Sequence, residues 1–258
     1  MFTVIHFGCW FEYLKLIEKI YNTKIDIVIK CFFAICGFTL MLVFGLQYYS
    51  FDFDKEIGGH NSKIIFWILL FSCLLVFLFR NKQIPTKAKW MSLAGLIYIS
   101  LSFTFLLILY PVNDIHLHDT YFAMGDKLIP IFIISSIWIN DTMAYLIGSF
   151  IGKTPLSKIS PKKTIEGTLG GIILSVAAIG TLAHFIYGIT ACTILSMIIA
   201  AICAIFGTLG DLLESKLKRI ADVKDSGSFM PGHGGFLDRF DSLLVAVPFV
   251  WLYIKLFV

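Results

Sequence analysis

Residues 167–210 read GTLGGIILSVAAIGTLAHFIYGITACTILSMIIAAICAIFGTLG, 44 consecutive positions without Asp, Glu, Lys or Arg. As one helix rising 1.5 Å per residue, the stretch would extend about 66 Å, twice a hydrocarbon core of about 30 Å. It must therefore fold back as two spans, and Gly188 stands where a helix breaker belongs. A second charge-free run covers the 23 positions of 90–112. These two runs point to a helical protein that crosses a membrane several times.

The composition of the 258 residues agrees. Hydrophobic types make up 58% and charged types 15%, against about a quarter charged in soluble domains, which excludes a soluble single domain. The net charge of +4 is spread over several loops, so a nucleic-acid footprint is not expected. Cys9, Cys31, Cys36, Cys73, Cys192 and Cys203 lie in apolar stretches without a Cys-x-x-Cys spacing and read as buried reduced thiols. The start shows neither the basic n-region nor the small-residue cleavage site of a secretory leader, and no long alternation suggests a barrel.

Apolar runs of spanning length fall at 27–49, 64–79, 90–110, 128–150, 168–187, 189–209 and 242–258. The expected fold class is all-α: a polytopic helical integral membrane protein with about seven full spans plus an N-terminal partial or interfacial helix. Every second loop is basic. Segments 11–26, 80–89, 151–166 and 210–241 hold sixteen of the 21 Lys and Arg residues, so the positive-inside rule places them and the start of the chain in the cytoplasm. Residues 1–22 begin with an apolar run too short to span and continue with Glu12, Lys15, Glu18 and Lys19 on an amphipathic helix.

Eleven of the chain's 38 charges lie in residues 211–241. A solvated linker is the ordinary reading of such a run, but here the charges are interleaved with Pro231, Gly232, Gly234 and Gly235, which build a turn and let backbone amides approach a ligand. If 211–219 continues the preceding helix, Asp211, Glu214, Ser215 and Lys218 at offsets 0, 3, 4 and 7 share one face. Asp238 and Asp241, three apart, also point to one side. Carboxylates with Lys and Arg at a cytoplasmic membrane surface suit a Mg²⁺-nucleotide site, because Mg²⁺ takes hard oxygen ligands together with substrate phosphates.

A second cluster surrounds Asp141, an intramembrane charge and so a functional candidate. Tyr145, Gly148 and Gly152 follow on roughly the same face. On their own the two glycines would signify close helix packing. Ser160-Pro161-Lys162-Lys163-Thr164-Ile165-Glu166-Gly167 then joins two lysines and a hydroxyl to a helix N-terminus, an anion-favouring arrangement whose ordinary alternative is a positive-inside loop.

The segments Ser215-Lys216-Leu217-Lys218-Arg219, Lys224-Asp225-Ser226-Gly227 and Pro231-Gly232-His233-Gly234-Gly235-Phe236-Leu237-Asp238-Arg239-Phe240-Asp241 closely resemble the signature of the phosphatidate cytidylyltransferases, or CDP-diacylglycerol synthases. Met230 replaces the family's usual Leu or Ile, a volume-conserving change. Asp141-Thr142-Met143-Ala144-Tyr145 and the 161–167 loop resemble the family's second region. The likeness covers residues 90–250 and is vague before them. Phe7-Gly8-Cys9-Trp10-Phe11-Glu12-Tyr13 faintly resembles the end of an early family span, which implies that the chain begins inside what is normally a second span and lacks about one and a half.

The resemblance implies one membrane-embedded cytidylyltransferase domain over 1–258, with its catalytic part in 90–258. It would condense CTP with phosphatidic acid to CDP-diacylglycerol and pyrophosphate on the cytoplasmic face of the cell inner membrane. It implies catalytic roles for Asp211, Asp238, Asp241, Lys218, Arg219 and His233, and a metal site of Asp211, Asp238, Asp241 and Glu214. Substrate contacts would come from Asp141, Lys162, Lys163, Thr164, Ser215, Lys224, Asp225, Gly234, Gly235 and Arg239. The implied cofactor is Mg²⁺, with room for a second, monovalent cation. The implied partners are CTP, phosphatidic acid, the lipid bilayer and a second copy of the chain as a homodimer, with no nucleic acid. The chemistry is self-consistent: a phosphomonoester with a second pKa of about 6 is already an anionic nucleophile near pH 7, so no Ser-His or Cys-His pair is needed. Two alternatives compete. One is a cytidylyltransferase or CTP-dependent kinase acting on another membrane lipid, where a kinase would need a general base. The other is an ion-coupled transporter, which should show paired broken helices in two similar halves.

Overall fold

A computed structural model describes residues 2–47, 84–109, 128–227, 229 and 234–258. The described residues are helical, with one isolated antiparallel bridge, Pro155 to Thr164. In chain order the helices are α1 (Phe2–Tyr21), α2 (Ile27–Gln47), α3 (Thr86–Gly95), a π-helical segment (Leu96–Leu101), α4 (Ser102–Ile108), α5 (Ile129–Ile151), α6 (Ile165–Tyr187), α7 (Thr190–Ile220) and α8 (Leu237–Phe257). Among the described residues, six candidate spans are long and apolar enough to cross a membrane: Ile27–Gly45, Thr86–Ile108, Ile129–Ile151, Ile165–Tyr187, Thr190–Ile220 and Leu237–Phe257. This is a polytopic helical membrane protein. The expected span at 64–79, Cys73 and His233 lie outside the described residues.

The described chain divides into two compact units. The first takes in Met1–Thr104 and Ile220–Leu237. Trp10 is fully buried and stacks on Phe33 with ring centroids 5.6 Å apart. Its indole Nε1 donates to Ser100 Oγ at 2.9 Å, and His6 Nε2 lies 3.0 Å from the same hydroxyl. Ser100 sits in the π-helical segment, so the wider turn carries the one hydroxyl that these two buried ring nitrogens share. α1 is a full 20-residue helix with one buried face that includes Cys9, Leu14 and Ile17. Glu18 closes the turn after it, accepting from Ile25 N at 2.7 Å and pairing with Lys30 at 2.6 Å.

The second unit takes in Phe105–Arg219 and Asp238–Val258. The charge-free run reverses at Gly188, whose φ of 64° is left-handed and suits a residue without Cβ. α5 and α6 pack through small residues: a Cβ on Gly167 would lie 2.5 Å from Ala144 O, and one on Gly171 would lie 2.8 Å from Asn140 O. Ser175 Oγ donates across the same interface to Ser136 O at 2.9 Å. Hydropathy places the end of the sixth span at 209, yet α7 runs on to Ile220. A helix does not stop at its first charge when the following turns bury a face, and Glu214 is fully buried. The stretch 211–241 is accordingly the end of one helix, a connection, and the start of the next.

Candidate active site

Within the second unit, α7 and α8 cross closely at small residues. A Cβ on Gly210 would lie 2.5 Å from Asp241 O and 3.1 Å from Ser242 Cα, while one on Gly207 would lie 3.5 Å from Ser242 Cβ. Phe206 and Phe249 stack on the same pair of helices, with centroids 3.6 Å apart. This approach holds Asp211, the residue after Gly210, beside the first turns of α8. Asp241 is itself buried, and its Oδ1 accepts from Ser242 N at 2.6 Å.

The charges on these helices are organised as carboxylate–ammonium sets. Lys163 Nζ pairs with Asp211 Oδ2, and Ser215 Oγ donates to Asp211 Oδ1 at 3.2 Å. Lys218 Nζ lies 2.5 Å from Glu214 Oε2 and 2.7 Å from Asp238 Oδ1, bridging α7 to α8. Asp211, Glu214, Ser215 and Lys218 thus lie on one face of α7, whereas Lys216 is exposed. A buried carboxylate is tolerated only with a partner, and Lys218 supplies it to Glu214. Among the described residues no three His, Cys, Asp or Glu side chains form a ready-made cation cage; lysines hold Asp211 and Asp238 instead.

A cavity of about 520 Å³ opens on Lys163 and Asp211 and is lined also by Asp141, Tyr145, Ser160, Lys162 and Thr208. Its floor includes Asn140, a residue the sequence reading did not single out. Asn140 is buried, with Nδ2 at 3.5 Å from both Thr208 Oγ1 and Asp141 Oδ1. The lysine-bearing wall is rigidified locally. Leu156 N donates to Lys163 O at 2.7 Å and Ile165 N to Thr154 O at 2.9 Å. Glu166 accepts from the amides of Lys153 and Thr154, each at 3.2 Å. Thr164 has a structural duty: as N-cap of α6 its hydroxyl accepts from Gly167 N at 3.1 Å, and Gly148 and Gly152 leave room for it.

The remaining signature residues are partly separate. Arg219 and Arg239 are exposed on α7 and α8 of the second unit. Lys224, Asp225, Gly234 and Gly235 belong to the first unit, where Lys224 and Asp225 are exposed and Gly234 has φ 85°. What the reading of residue spacing missed was the pair Gly207 and Gly210. Small residues three apart just before Asp211 are the signal that a second helix approaches there.

Comparison with known proteins gives the family. Residues 1–257 match the cytidylyltransferase family. The phosphatidate cytidylyltransferase of Bacillus subtilis is 34% identical over 227 residues, covering 87% of this chain and 79% of the relative. Its counterpart from Synechocystis sp. is 41% identical over 139 residues, covering 54% and 47%. That from Staphylococcus haemolyticus is 46% identical over 113 residues, 43% of either protein. A family match running from the first helix to the last, with every paired carboxylate of α7 and α8 inside it, makes this chain a member of the cytidylyltransferase family.

Proposed function

We propose that the chain condenses CTP with phosphatidic acid, releasing pyrophosphate and leaving CDP-diacylglycerol in the membrane. The observation that carries this reading is the meeting of two lysine–carboxylate sets, Lys163–Asp211 and Glu214–Lys218–Asp238, where α7 and α8 cross. The names of the relatives support the choice of substrates.

The reaction joins two polyanions. An oxygen of the lipid phosphate forms a bond to the α-phosphorus of CTP as the bond from that phosphorus to the β-phosphate oxygen breaks, and pyrophosphate leaves with the bonding pair. The lipid phosphate is already ionised near pH 7, so the protein's task is charge neutralisation and alignment. Lys162 and Lys163 line the cavity and would meet phosphate oxygens there, while Lys218 on α7 ties Glu214 to Asp238. Asp141 and Asn140 line the cavity wall that receives the nucleotide. The resemblance alone assigns Arg219, Lys224, Asp225, His233, Gly234, Gly235 and Arg239 to phosphate contacts and the turn.

Asp211, Glu214, Asp238 and Asp241 present hard oxygen donors on two closely crossing helices and fit a divalent cation such as Mg²⁺. When bound, such a cation supplies neutralisation of the triphosphate and of the departing pyrophosphate. Lys163 and Lys218 hold Asp211 and Asp238, and a cation taken up by these carboxylates would free the two lysines for phosphate oxygens. The basic segments at 151–166 and 210–241 support, through the positive-inside rule, a reading in which this chemistry takes place on the cytoplasmic face of the cell inner membrane, where CTP is dissolved and the lipid is at hand.

The test uses detergent-purified chain, phosphatidic acid and CTP labelled at either the α- or the γ-phosphorus. Label from the α position should enter the lipid fraction and label from the γ position should not. With diacylglycerol in place of phosphatidic acid, entry of the γ-label would identify a CTP-dependent kinase, and transfer of neither label to either lipid rejects the enzymatic reading.

A further inference from the structure

Glu12 lies on α1, between Phe11 and the buried Tyr13, and its carboxylate does not face bulk solvent alone. Within the first unit Oε2 accepts two hydrogen bonds, from Ser226 Oγ at 2.8 Å and from Leu237 N at 2.8 Å. Ser226 and Leu237 are both buried. Two glycines make room for this carboxylate: a Cβ on Gly227 would lie 2.0 Å from Oε1, and one on Gly235 would lie 2.2 Å from Oε2. One turn earlier on the same face of α1, Gly8 seats Phe236, where a Cβ would lie 2.2 Å from the ring.

Leu237 opens α8, the helix that carries Asp238 and Asp241. Its amide is one of the first-turn donors that have no partner within the helix. A carboxylate from a distant helix therefore caps α8 in place of a local N-cap, and a negative charge at that end also suits the helix dipole. The same oxygen fixes Ser226, at the near end of the connection from α7. We propose that Glu12 is a positioning residue that clamps both ends of the signature connection, Ser226–Gly227 and Gly235–Leu237, and so sets the direction in which Asp238 and Asp241 leave the start of α8. This rests on the reading of the chain as a CTP:phosphatidate cytidylyltransferase. It also gives Gly227 and Gly235 a purpose beyond turn formation, since their missing side chains admit the carboxylate.

The experiment combines steady-state kinetics and hydrogen exchange on the purified full chain, comparing wild type, Glu12→Ala, Glu12→Gln, Glu12→Asp, Gly227→Ala and the double variant Glu12→Ala/Gly227→Ala. Misaligning a reacting group by about an ångström costs up to a hundredfold, so Glu12→Ala should lower kcat by about ten- to a hundredfold. KM for CTP should stay nearly constant, as expected when only the transition state is affected. Glu12→Gln keeps an acceptor oxygen and should recover kcat to within about threefold of wild type, as amide and carboxylate caps are similar in strength. Gly227→Ala should be severely impaired alone and add little in the Glu12→Ala background, where the clash is gone. Exchange at the Leu237 amide should quicken in Glu12→Ala and in the milder Glu12→Asp, which keeps the proposal decidable if Glu12→Ala fails to accumulate. Unchanged Leu237 exchange in both variants, or an equal Gly227→Ala penalty in both backgrounds, overturns the clamp. A wild-type chain that forms no CDP-lipid rejects the enzymatic reading instead, and the exchange measurement still decides the clamp.

Discussion

Two helix pairs in the second unit approach through glycine, and they use the approach differently. In α5–α6, Gly167 and Gly171 bring backbones together around Asn140 and Ala144, and the polar groups at the contact are neutral, as in the bond from Ser175 to Ser136 O. In α7–α8, Gly207 and Gly210 do the same, but the residues next to the contact are Asp241 and the carboxylates Asp211, Glu214 and Asp238, which Lys163 and Lys218 pair. The first pair builds a wall and the second concentrates charge. Buried carboxylates are costly for folding, so their concentration at one crossing marks where the molecule trades stability for chemistry.

Substitutions at the two crossings should therefore diverge, and the largest effect falls on the charges. Asp211→Asn and Asp238→Asn keep shape and an oxygen but remove a charge, and each should reduce CDP-lipid turnover by about two to three orders of magnitude while membrane insertion persists. Gly210→Ala comes next. Its Cβ meets Asp241 O at 2.5 Å, so α8 must shift, and turnover should fall by up to about a hundredfold; the comparison fails if the loss in activity is no greater than that of a substitution at the other crossing. Gly171→Ala is that substitution. Overpacking against Asn140 O and Ala144 Cβ should lower stability by about 1–3 kcal/mol, read as a lower unfolding midpoint in detergent, with a smaller loss of turnover per folded molecule than in Gly210→Ala, because a cavity wall and not a carboxylate is displaced. The smallest effect belongs to Lys216→Ala. Lys216 is exposed, off the face shared by Asp211 and Lys218, and exposed charges away from a site contribute within about 0.5 kcal/mol, so both stability and turnover should be nearly unchanged.

Much of this contrast is legible in the residues alone because helices write it locally. Long charge-free runs mark the spans, and offsets of 3, 4 and 7 from Asp211 place Glu214, Ser215 and Lys218 on one side. Pairs formed across the fold leave no such trace. Lys163 meets Asp211 from 48 positions away, and Glu12 reaches Ser226 and Leu237 across 214 and 225 positions. Periodicity describes neighbours on one helix, whereas these partners depend on which helices pack together. Glu12 in particular reads as one charge of an amphipathic helix until Gly227 and Gly235 are seen against its carboxylate. Thr164 carries a duty that spacing beside two lysines does not show: it lines the cavity, and its hydroxyl also caps α6.

The account's central claim is that the α7–α8 crossing is the reaction centre and the α5–α6 crossing its scaffold. The most direct measurement is electron paramagnetic resonance of Mn²⁺, used in place of Mg²⁺, titrated into purified chain with CTP. Wild type and Gly171→Ala should remove the signal of free Mn²⁺ alike, and Asp211→Asn and Asp238→Asn should leave most of it in solution. Mn²⁺ binding by the two Asn variants as tight as that of wild type would contradict the claim.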